Sequence, residues 1–227
     1  MNEVAQDGFI HKRPSAILWD VDGVLLDTAD EHYQSWVETL AIHGVNFSRQ
    51  HFDRVYGMNN QSTIETLCGS DVSPQLVRQI SEQKEEAYRK EIRGRVQLLP
   101  GVREWLERFT TAGIPQAVAS SGPMENILAI LEEARIRAHF ETIVSAVGHP
   151  GKPDPWVFLE AVRQLNVDSC RVVVIEDSAA GVLAAHRAGL RCIAVSSTLT
   201  PQDSKTANLL VDRLDFVGFQ DIELLLD

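Results

Sequence analysis

The sequence is short of positive charge, of cysteine and of long apolar runs. Its 227 residues hold 21 Lys and Arg against 32 Asp and Glu, a formal net charge of −11. This negative excess argues against general binding to nucleic acid or to an anionic membrane. No apolar run has the length of a transmembrane helix, and residues 1–13 lack the pattern of a secretory signal. We therefore expect a cytoplasmic protein.

The three cysteines are Cys68, Cys170 and Cys192, an odd number with neither paired nor metal-ligand spacing. They predict reduced, mostly buried thiols. The composition is 44% hydrophobic and 23% charged, which is ordinary for a globular protein with a substantial core. The length suits one large domain, or one domain with a smaller insertion. No dimer seam is visible, so we expect a monomer.

Short apolar runs alternate with helical patterns along most of the chain. Runs typical of buried strands lie at 16–20, 114–119, 143–145, 171–175, 192–195 and, more weakly, 209–211. Helical patterns lie at 101–112, 123–134, 155–165 and 178–188. This alternation predicts a doubly wound α/β fold, with a parallel sheet covered by helices on both faces.

One interval breaks the alternation. Between residues 29 and 97, helical patterns occur without a convincing strand, including an apolar stripe at 33–41 and a charge-rich amphipathic helix at 74–93. We therefore predict a small inserted α-helical cap domain at 29–97. The core domain is predicted at 14–28 and 98–227, and a disordered tail at 1–13.

Two of the predicted strands run straight into acidic residues. LWDVDG places Asp20 and Asp22 after the first strand, and VVVIED places Glu176 and Asp177 after a later one. Ligands of doubly wound sheets bind beyond the carboxyl ends of the strands, so adjacent strands would bring four carboxylates together. Mg²⁺, which prefers oxygen ligands, would relieve their repulsion. One such pair alone is typical of a solvated loop, but two pairs favour a metal site.

Asp20 and Asp22 have the spacing to share phosphoryl chemistry. One carboxylate can attack phosphorus to give an aspartyl-phosphate, and the other can donate a proton to the leaving oxygen. Gly23 would let the backbone turn closely around the phosphate. Asp27, just before a helical pattern, is interpreted as a helix cap or a loop brace, outside the chemistry.

Two further segments could bind an anion. VASSG places Ser120 and Ser121 between a strand and a helix start. GKPDP places Lys152 in a proline-bracketed loop, where it could neutralise phosphoryl oxygens beside a nucleophilic aspartate. Each is ambiguous alone, because Ser-Ser-Gly is an ordinary turn and a lone loop lysine is usually solvated.

Together, four segments resemble the haloacid dehalogenase-like phosphatase superfamily from residue 16 to about residue 195. They are D-x-D-G-x-x-x-D-T, a strand ending in Ser, G-K-P-D-P, and a strand ending in E-D-S-x-x-G. The resemblance implies a Rossmann-like core with Asp20 as nucleophile and Asp22 as general acid and base. It also implies Ser120 and Lys152 as stabilisers of the nucleophile and the phosphate.

The same resemblance implies where Mg²⁺ would bind. Its ligands would be Asp20, the backbone carbonyl of Asp22 and Asp177, with Glu176 in direct or water-mediated contact. Dehalogenation is not expected, because the dehalogenases of the superfamily are expected to lack the second aspartate. The helical insertion resembles the subfamily with an α-helical cap, close to β-phosphoglucomutases and sugar-phosphate phosphatases.

The expected cap would close over the site, choose the substrate and exclude water. His32 and Trp36 lie one helical turn apart and could face the core, as in β-phosphoglucomutases; alternatively, Trp36 is cap core and His32 is surface. VYGMNNQ at 55–61 resembles the specificity loop of that group. The predicted substrate-binding residues are Gly23, His32, Trp36, Gly57, Asn59, Asn60 and Ser121.

The specificity loop separates two candidate reactions. A mutase must hold a second phosphate, and mutases of the family offer lysine and arginine in this loop, whereas this chain offers Tyr56, Asn59 and Asn60. Arg49 or Arg54 could substitute. We therefore predict a Mg²⁺-dependent phosphatase acting on a small sugar or polyol phosphate. A β-phosphoglucomutase-type mutase is the first alternative, and an inactive metabolite-binding regulator the second.

Overall fold

The computed structural model describes residues 12–55, 58–69, 71–195, 199 and 203–226. Within these residues, six strands form one sheet in the order β3-β2-β1-β4-β5-β6, and every neighbouring pair is parallel. The strands are β1 (Ala16–Trp19), β2 (Gln116–Ser120), β3 (Thr142–Ser145), β4 (Val172–Glu176), β5 (Arg191–Val195) and β6 (Leu209–Val211). The predicted Rossmann-like, doubly wound parallel sheet is confirmed. The direction of winding reverses next to β1, and such a switch point is where ligands of this fold class bind.

Nine α-helices occur in the described residues. They are α1 (Ala29–Ile42), α2 (Arg49–Val55), α3 (Asn60–Cys68), α4 (Pro74–Glu91), α5 (Val102–Thr111), α6 (Met124–Glu133), α7 (Trp156–Leu165), α8 (Ala179–Arg187) and α9 (Phe219–Leu225). None of these helices is long and apolar enough to cross a membrane.

The central strand β1 is buried on both faces. Ala16 and Leu18 belong to a core cluster with apolar residues of α7 and α8. The alternation of side chains along a strand turns Trp19 to the other face, where its ring meets Phe109 of α5 edge-on at a centroid distance of 6.2 Å. Burial on both faces explains why the strand is continuously apolar.

The chain divides into two compact units, of which one is helical and comprises Thr28–Val96. Its α1 packs on α4. Its core residues are Trp36, Leu40, Phe47, Phe52, Val55, Ile64 and Ile80. The other unit contains the sheet. At the base of the insertion, Leu26 and Leu98 form an isolated antiparallel bridge, and Leu99 N–H donates to Leu25 O at 2.9 Å.

Several details differ from expectation. Of the three thiols only Cys192 is buried, so the prediction of mostly buried cysteines is wrong. Cys68 ends α3, and Cys170 lies in the short turn before β4; element ends of this kind are exposed. Helix α1 begins after Thr28, which occupies the N-cap position in place of Asp27. Of the predicted tail at 1–13, residues 1–11 lie outside the described residues.

Candidate active site

The chain turns tightly where β1 ends. Asp20 N–H donates to Ile175 O of β4 at 3.0 Å, and Gly23 N–H donates to Leu26 O at 2.7 Å. Gly23 has a φ of +80°, and a Cβ built on it would collide with the Asp177 carboxylate. The close approach of Asp177 therefore gives this glycine a reason beyond the predicted turn around a phosphate.

Carboxylates from the ends of β1 and β4 meet beside this turn. Asp20, Glu176 and Asp177 each offer an oxygen, and these oxygens lie within 4.8 Å of one another. Asp22 is half-buried and is not a member of this side-chain group. Its expected metal contact is a backbone carbonyl, and both this contact and its acid–base role stay predictions.

Lys152 is buried among these acids. Its Nζ donates to Asp20 Oδ1 at 2.5 Å, to Glu176 Oε1 at 2.5 Å and to Ala119 O at 3.2 Å. The side chain is only 7% exposed, and Nζ lies 5.0 Å from the centre of the Phe158 ring. The lysine of the predicted loop is therefore an internal counter-charge rather than a solvated one.

The site holds three carboxylates against one lysine, and both burial and these charges shift its pKa values. Burial, followed by repulsion from Glu176, raises the pKa of Asp177 to about 7. Burial also raises the pKa of Asp20, with a contribution from its acidic neighbours. Burial alone would lower the pKa of Lys152, but Asp20 and Glu176 outweigh it and raise that pKa. The negative charge of the site is thus only partly compensated by protein groups.

Glu176 is fully buried and is held by the start of α8. Its Oε2 accepts the N–H groups of Asp177 and Ser178, each at 2.9 Å, and the Ser178 hydroxyl at 3.0 Å. Ser178 Oγ in turn accepts Gly181 N–H at 3.0 Å and caps the helix. An anion at a helix N-terminus is a favourable arrangement, so the backbone fixes this carboxylate in place.

Ser120 ends β2 and is 3% exposed. Its Oγ accepts Gly122 N–H at 3.0 Å, while Ser145 Oγ donates to Gly122 O at 2.6 Å. The Ser120 oxygen is thereby positioned, and its hydroxyl hydrogen is able to donate to an anion. Ser121 is exposed, and α6 begins at Met124, so both serines precede a helix N-terminus as the sequence indicates.

A second buried lysine, which the sequence interpretation missed, lies in the helical unit. Lys84 Nζ lies 3.0 Å from His32 Nδ1 and donates to Glu85 Oε1 at 3.0 Å. Asn60 Nδ2 donates to the same Glu85 oxygen at 2.7 Å, and the His32 ring stacks on Tyr88 at a centroid distance of 4.1 Å. We call these five residues the Lys84 cluster. Helical spacing could have indicated it, because residues 80, 84 and 88 share the buried face of α4.

The other predicted substrate-binding residues of the helical unit have structural contacts there. Trp36 is 5% exposed and lies in the core of the unit, as the structural alternative expects, whereas His32 is half-buried against Tyr88 and not simply a surface residue. Asn59 caps α3 through its Oδ1, which accepts Ser62 N–H at 2.9 Å. Gly57 and its neighbour Tyr56 lie outside the described residues. A role for any of these residues toward a substrate stays a prediction.

Comparison with known proteins assigns the class of the chain. Residues 17–195 match the haloacid dehalogenase-like hydrolase family. A phosphorylated carbohydrates phosphatase of Thermotoga maritima is 30% identical over 183 residues, which cover 78% of this chain and 83% of that protein. The solved structure of a β-phosphoglucomutase of Clostridium difficile has a TM-score of 0.81 and 25% identity, covering 94% of this chain and 97% of that one. The chain belongs to the haloacid dehalogenase-like hydrolase family.

Another relative is considerably longer than this chain. It is the chloroplastic 5-amino-6-(5-phospho-D-ribitylamino)uracil phosphatase of Arabidopsis thaliana, 33% identical over 215 residues. The match covers 92% of this chain and 57% of that protein. The family match confirms the resemblance inferred from the four segments, and with it the expected class of enzyme, a hydrolase of this family.

Proposed function

We propose that this chain is a Mg²⁺-dependent phosphatase that hydrolyses a small phosphomonoester, of the sugar or polyol type, through an aspartyl-phosphate on Asp20. The observation that carries the proposal is the position of the Asp20 carboxylate. It lies at the end of β1, at the switch point of the sheet, 2.5 Å from Lys152 Nζ and beside two further carboxylates.

The residues of the site fit a hard divalent cation. Three buried or half-buried acids lie beside one lysine, and burial, with repulsion from the acidic neighbours, raises the pKa values of Asp20 and Asp177. Asp20, Asp177 and the Asp22 carbonyl would hold the ion, with Glu176 in direct or water-mediated contact. When bound, Mg²⁺ would supply positive charge for the phosphoryl oxygens.

The protein groups divide the reaction into two steps. In the first, a carboxylate oxygen of Asp20 bonds to phosphorus while the bond from phosphorus to the alcohol oxygen breaks, and Asp22 gives that oxygen its proton. In the second, Asp22 takes a proton from water as the water oxygen attacks phosphorus, which releases phosphate and regenerates the Asp20 carboxylate. Lys152 and Ser120 stabilise the charge on the transferring group.

The ion pairs of two basic residues in the helical unit, Arg49 and Lys84, favour hydrolysis over mutase chemistry. Arg49, a candidate for a second phosphate, pairs with Asp30 at 2.5 Å and is 3.7 Å from Asp53. Lys84 pairs with Glu85. A second phosphate needs uncompensated positive charge, which these pairs do not offer. We propose that the helical unit is the substrate-selecting cap, and that it recognises a substrate with a single phosphate.

A phosphate-release screen across sugar and polyol phosphates with Mg²⁺ tests the proposal. The same reactions should be assayed for interconversion of glucose 1-phosphate and glucose 6-phosphate, primed with a bisphosphate. We expect phosphate release on at least one substrate, and none from the Asp20→Asn variant. Interconversion faster than release would favour the mutase, and inactivity on every phosphomonoester would favour the regulator. The monomeric state and the cytoplasmic location also stay predictions.

A further inference from the structure

A glycine in α8 faces the Glu176 carboxylate. A Cβ built on Gly181 would overlap all three atoms of that carboxylate, Oε1, Cδ and Oε2. Its conformation is helical with no positive φ, so backbone strain gives no reason for a glycine here. A glycine inside a helix costs stability relative to alanine, so a steric reason is the one the geometry offers.

The space left by Gly181 is occupied by a carboxylate that several hydrogen bonds hold in place. Glu176 is fully buried and accepts three hydrogen bonds at Oε2 from the start of α8. Its Oε1 accepts Lys152 Nζ at 2.5 Å, and the same Nζ donates to Asp20 Oδ1. A displacement of the carboxylate would therefore move or release the ammonium group that contacts Asp20.

We propose that Gly181 is a positioning residue, which acts by leaving the space in which Glu176 holds Lys152 against Asp20. Neither Gly181 nor its backbone needs to touch a substrate. The activity part of this inference rests on the proposed phosphatase function, whereas the steric part does not. Small displacements of a catalytic group can lower turnover about 100-fold, so the effect should be measurable.

A double-mutant cycle between Gly181 and Glu176 tests the inference. In the natural background, Gly181→Ala should lower kcat about 100-fold and change KM less than about threefold. In a Glu176→Ala background the new methyl group has space, so Gly181→Ala should lower kcat less than about threefold further. Equal factors in the two backgrounds, or an unchanged kcat in the single variant, would refute the inference.

Gly218→Ala is the matched control. Gly218 precedes α9 with a φ of −106°, and a Cβ on it would lie 3.4 Å from its nearest neighbour, Asp221 Oδ2. We expect its kcat within about twofold of the natural chain, because an ordinary contact demands no rearrangement. A loss as large as that of Gly181→Ala would show that glycine replacement itself impairs the enzyme.

Thermal unfolding keeps the test decisive if Gly181→Ala does not fold or no substrate is found. Alanine is the better helix former, so it should raise the melting temperature of the Glu176→Ala protein. The same substitution should lower the melting temperature, or prevent folding, when Glu176 is present. If Gly181→Ala changes the melting temperature equally in both backgrounds, the inference fails, while the proposal that the chain is a phosphatase is unaffected. If the unfolding pattern holds and no phosphomonoester is hydrolysed, the proposed function fails instead.

Discussion

The candidate active site at the ends of β1 and β4 and the Lys84 cluster each hold a buried lysine beside carboxylates, but the balance of charge differs between them. Lys152 contacts both Asp20 and Glu176, with Asp177 beside them. In the helical unit, Lys84 pairs with the carboxylate of Glu85, and the described residues there hold no group of three clustered acids. An excess of buried negative charge indicates a site for a cation or a reacting group, whereas a lysine paired with a carboxylate is compensated within the fold. The predictions below test this distinction.

Replacing Asp20 should have the largest effect. Asp20→Asn keeps the size of the side chain but removes the proposed nucleophile, so turnover should fall by about 10⁴-fold or more. Steady-state phosphate release measures the rate, and the melting temperature checks the fold. Asp27→Asn is the matched control: it is an exposed acid of the same segment and should keep at least about a tenth of the activity. If the Asp20→Asn protein remains comparably active, Asp20 is not the nucleophile.

Lys152→Ala should lower kcat by about 10³-fold, because it removes the positive charge that contacts the proposed nucleophile. It also leaves three carboxylates without their lysine, so the variant should lose more stability at pH 8 than at pH 5. Lys90→Ala is the control, since Lys90 is exposed and pairs with Glu86 on α4. Near-normal turnover of the Lys152→Ala variant would show that this lysine has no essential role in the reaction.

In the helical unit, loss of the buried lysine should appear as lost stability. Lys84→Met leaves Glu85 without its ion pair and should lower the free energy of unfolding by about 3 kcal/mol, measured with denaturant. Adding Glu85→Gln should restore much of that loss, since Gln still accepts from Asn60. Lys90→Met breaks an exposed pair of the same helix and should cost less than about 0.5 kcal/mol. An equal loss of unfolding free energy in Lys84→Met and Lys90→Met would contradict the interpretation of Lys84 and Glu85 as a buried, compensated ion pair.

The smallest expected effect is a pH dependence of Mg²⁺ binding. The pKa of Asp177 is raised to about 7, so a proton competes with the cation below that pH, weakening binding by up to about tenfold per pH unit. Without Mg²⁺, the folded protein retains a proton that the unfolded chain has lost, so stability should fall as pH rises from about 4 to about 7. Melting temperatures with and without Mg²⁺ at pH 5.5 and 8 measure both trends.

The control for this pH dependence is Asp177→Asn, which cannot titrate. It should show a smaller Mg²⁺-induced rise in melting temperature than the natural chain, with less change between the two pH values. A Mg²⁺ effect of the same size at both pH values in the natural chain would exclude proton competition at this carboxylate.

The sheet and its acidic strand ends were predictable because both follow from local sequence. Residues after buried apolar runs must lie at the carboxyl edge of a parallel sheet, which brings Asp20 and Asp177 together once β1 and β4 are neighbours. The short α9 was not predicted. Its start is marked by Gly218 N–H donating to Asp221 Oδ2 at 2.7 Å, half of a capping pattern.

The Lys84 cluster was not predictable in the same way. Lys84 and His32 lie 52 positions apart, and only the packing of α1 on α4 brings them together. The space that Gly181 leaves for Glu176 likewise depends on side-chain volume and packing, which the sequence motif E-D-S-x-x-G does not reveal. Sequence pattern therefore specifies which residues reach the strand ends, and packing specifies how they are held.

The bridge between Leu26 and Leu98 has a consequence for how such enzymes diversify. It joins the two chain segments where the helical unit leaves and re-enters the sheet unit, so the ends of any inserted segment are already held side by side. A grafted segment of another length would meet the same two anchor points and lose little chain entropy at its ends. The helical unit is therefore suited to exchange as a module: if it selects the substrate as proposed, recombination there would change substrate preference while Asp20, Glu176 and Asp177 are inherited intact.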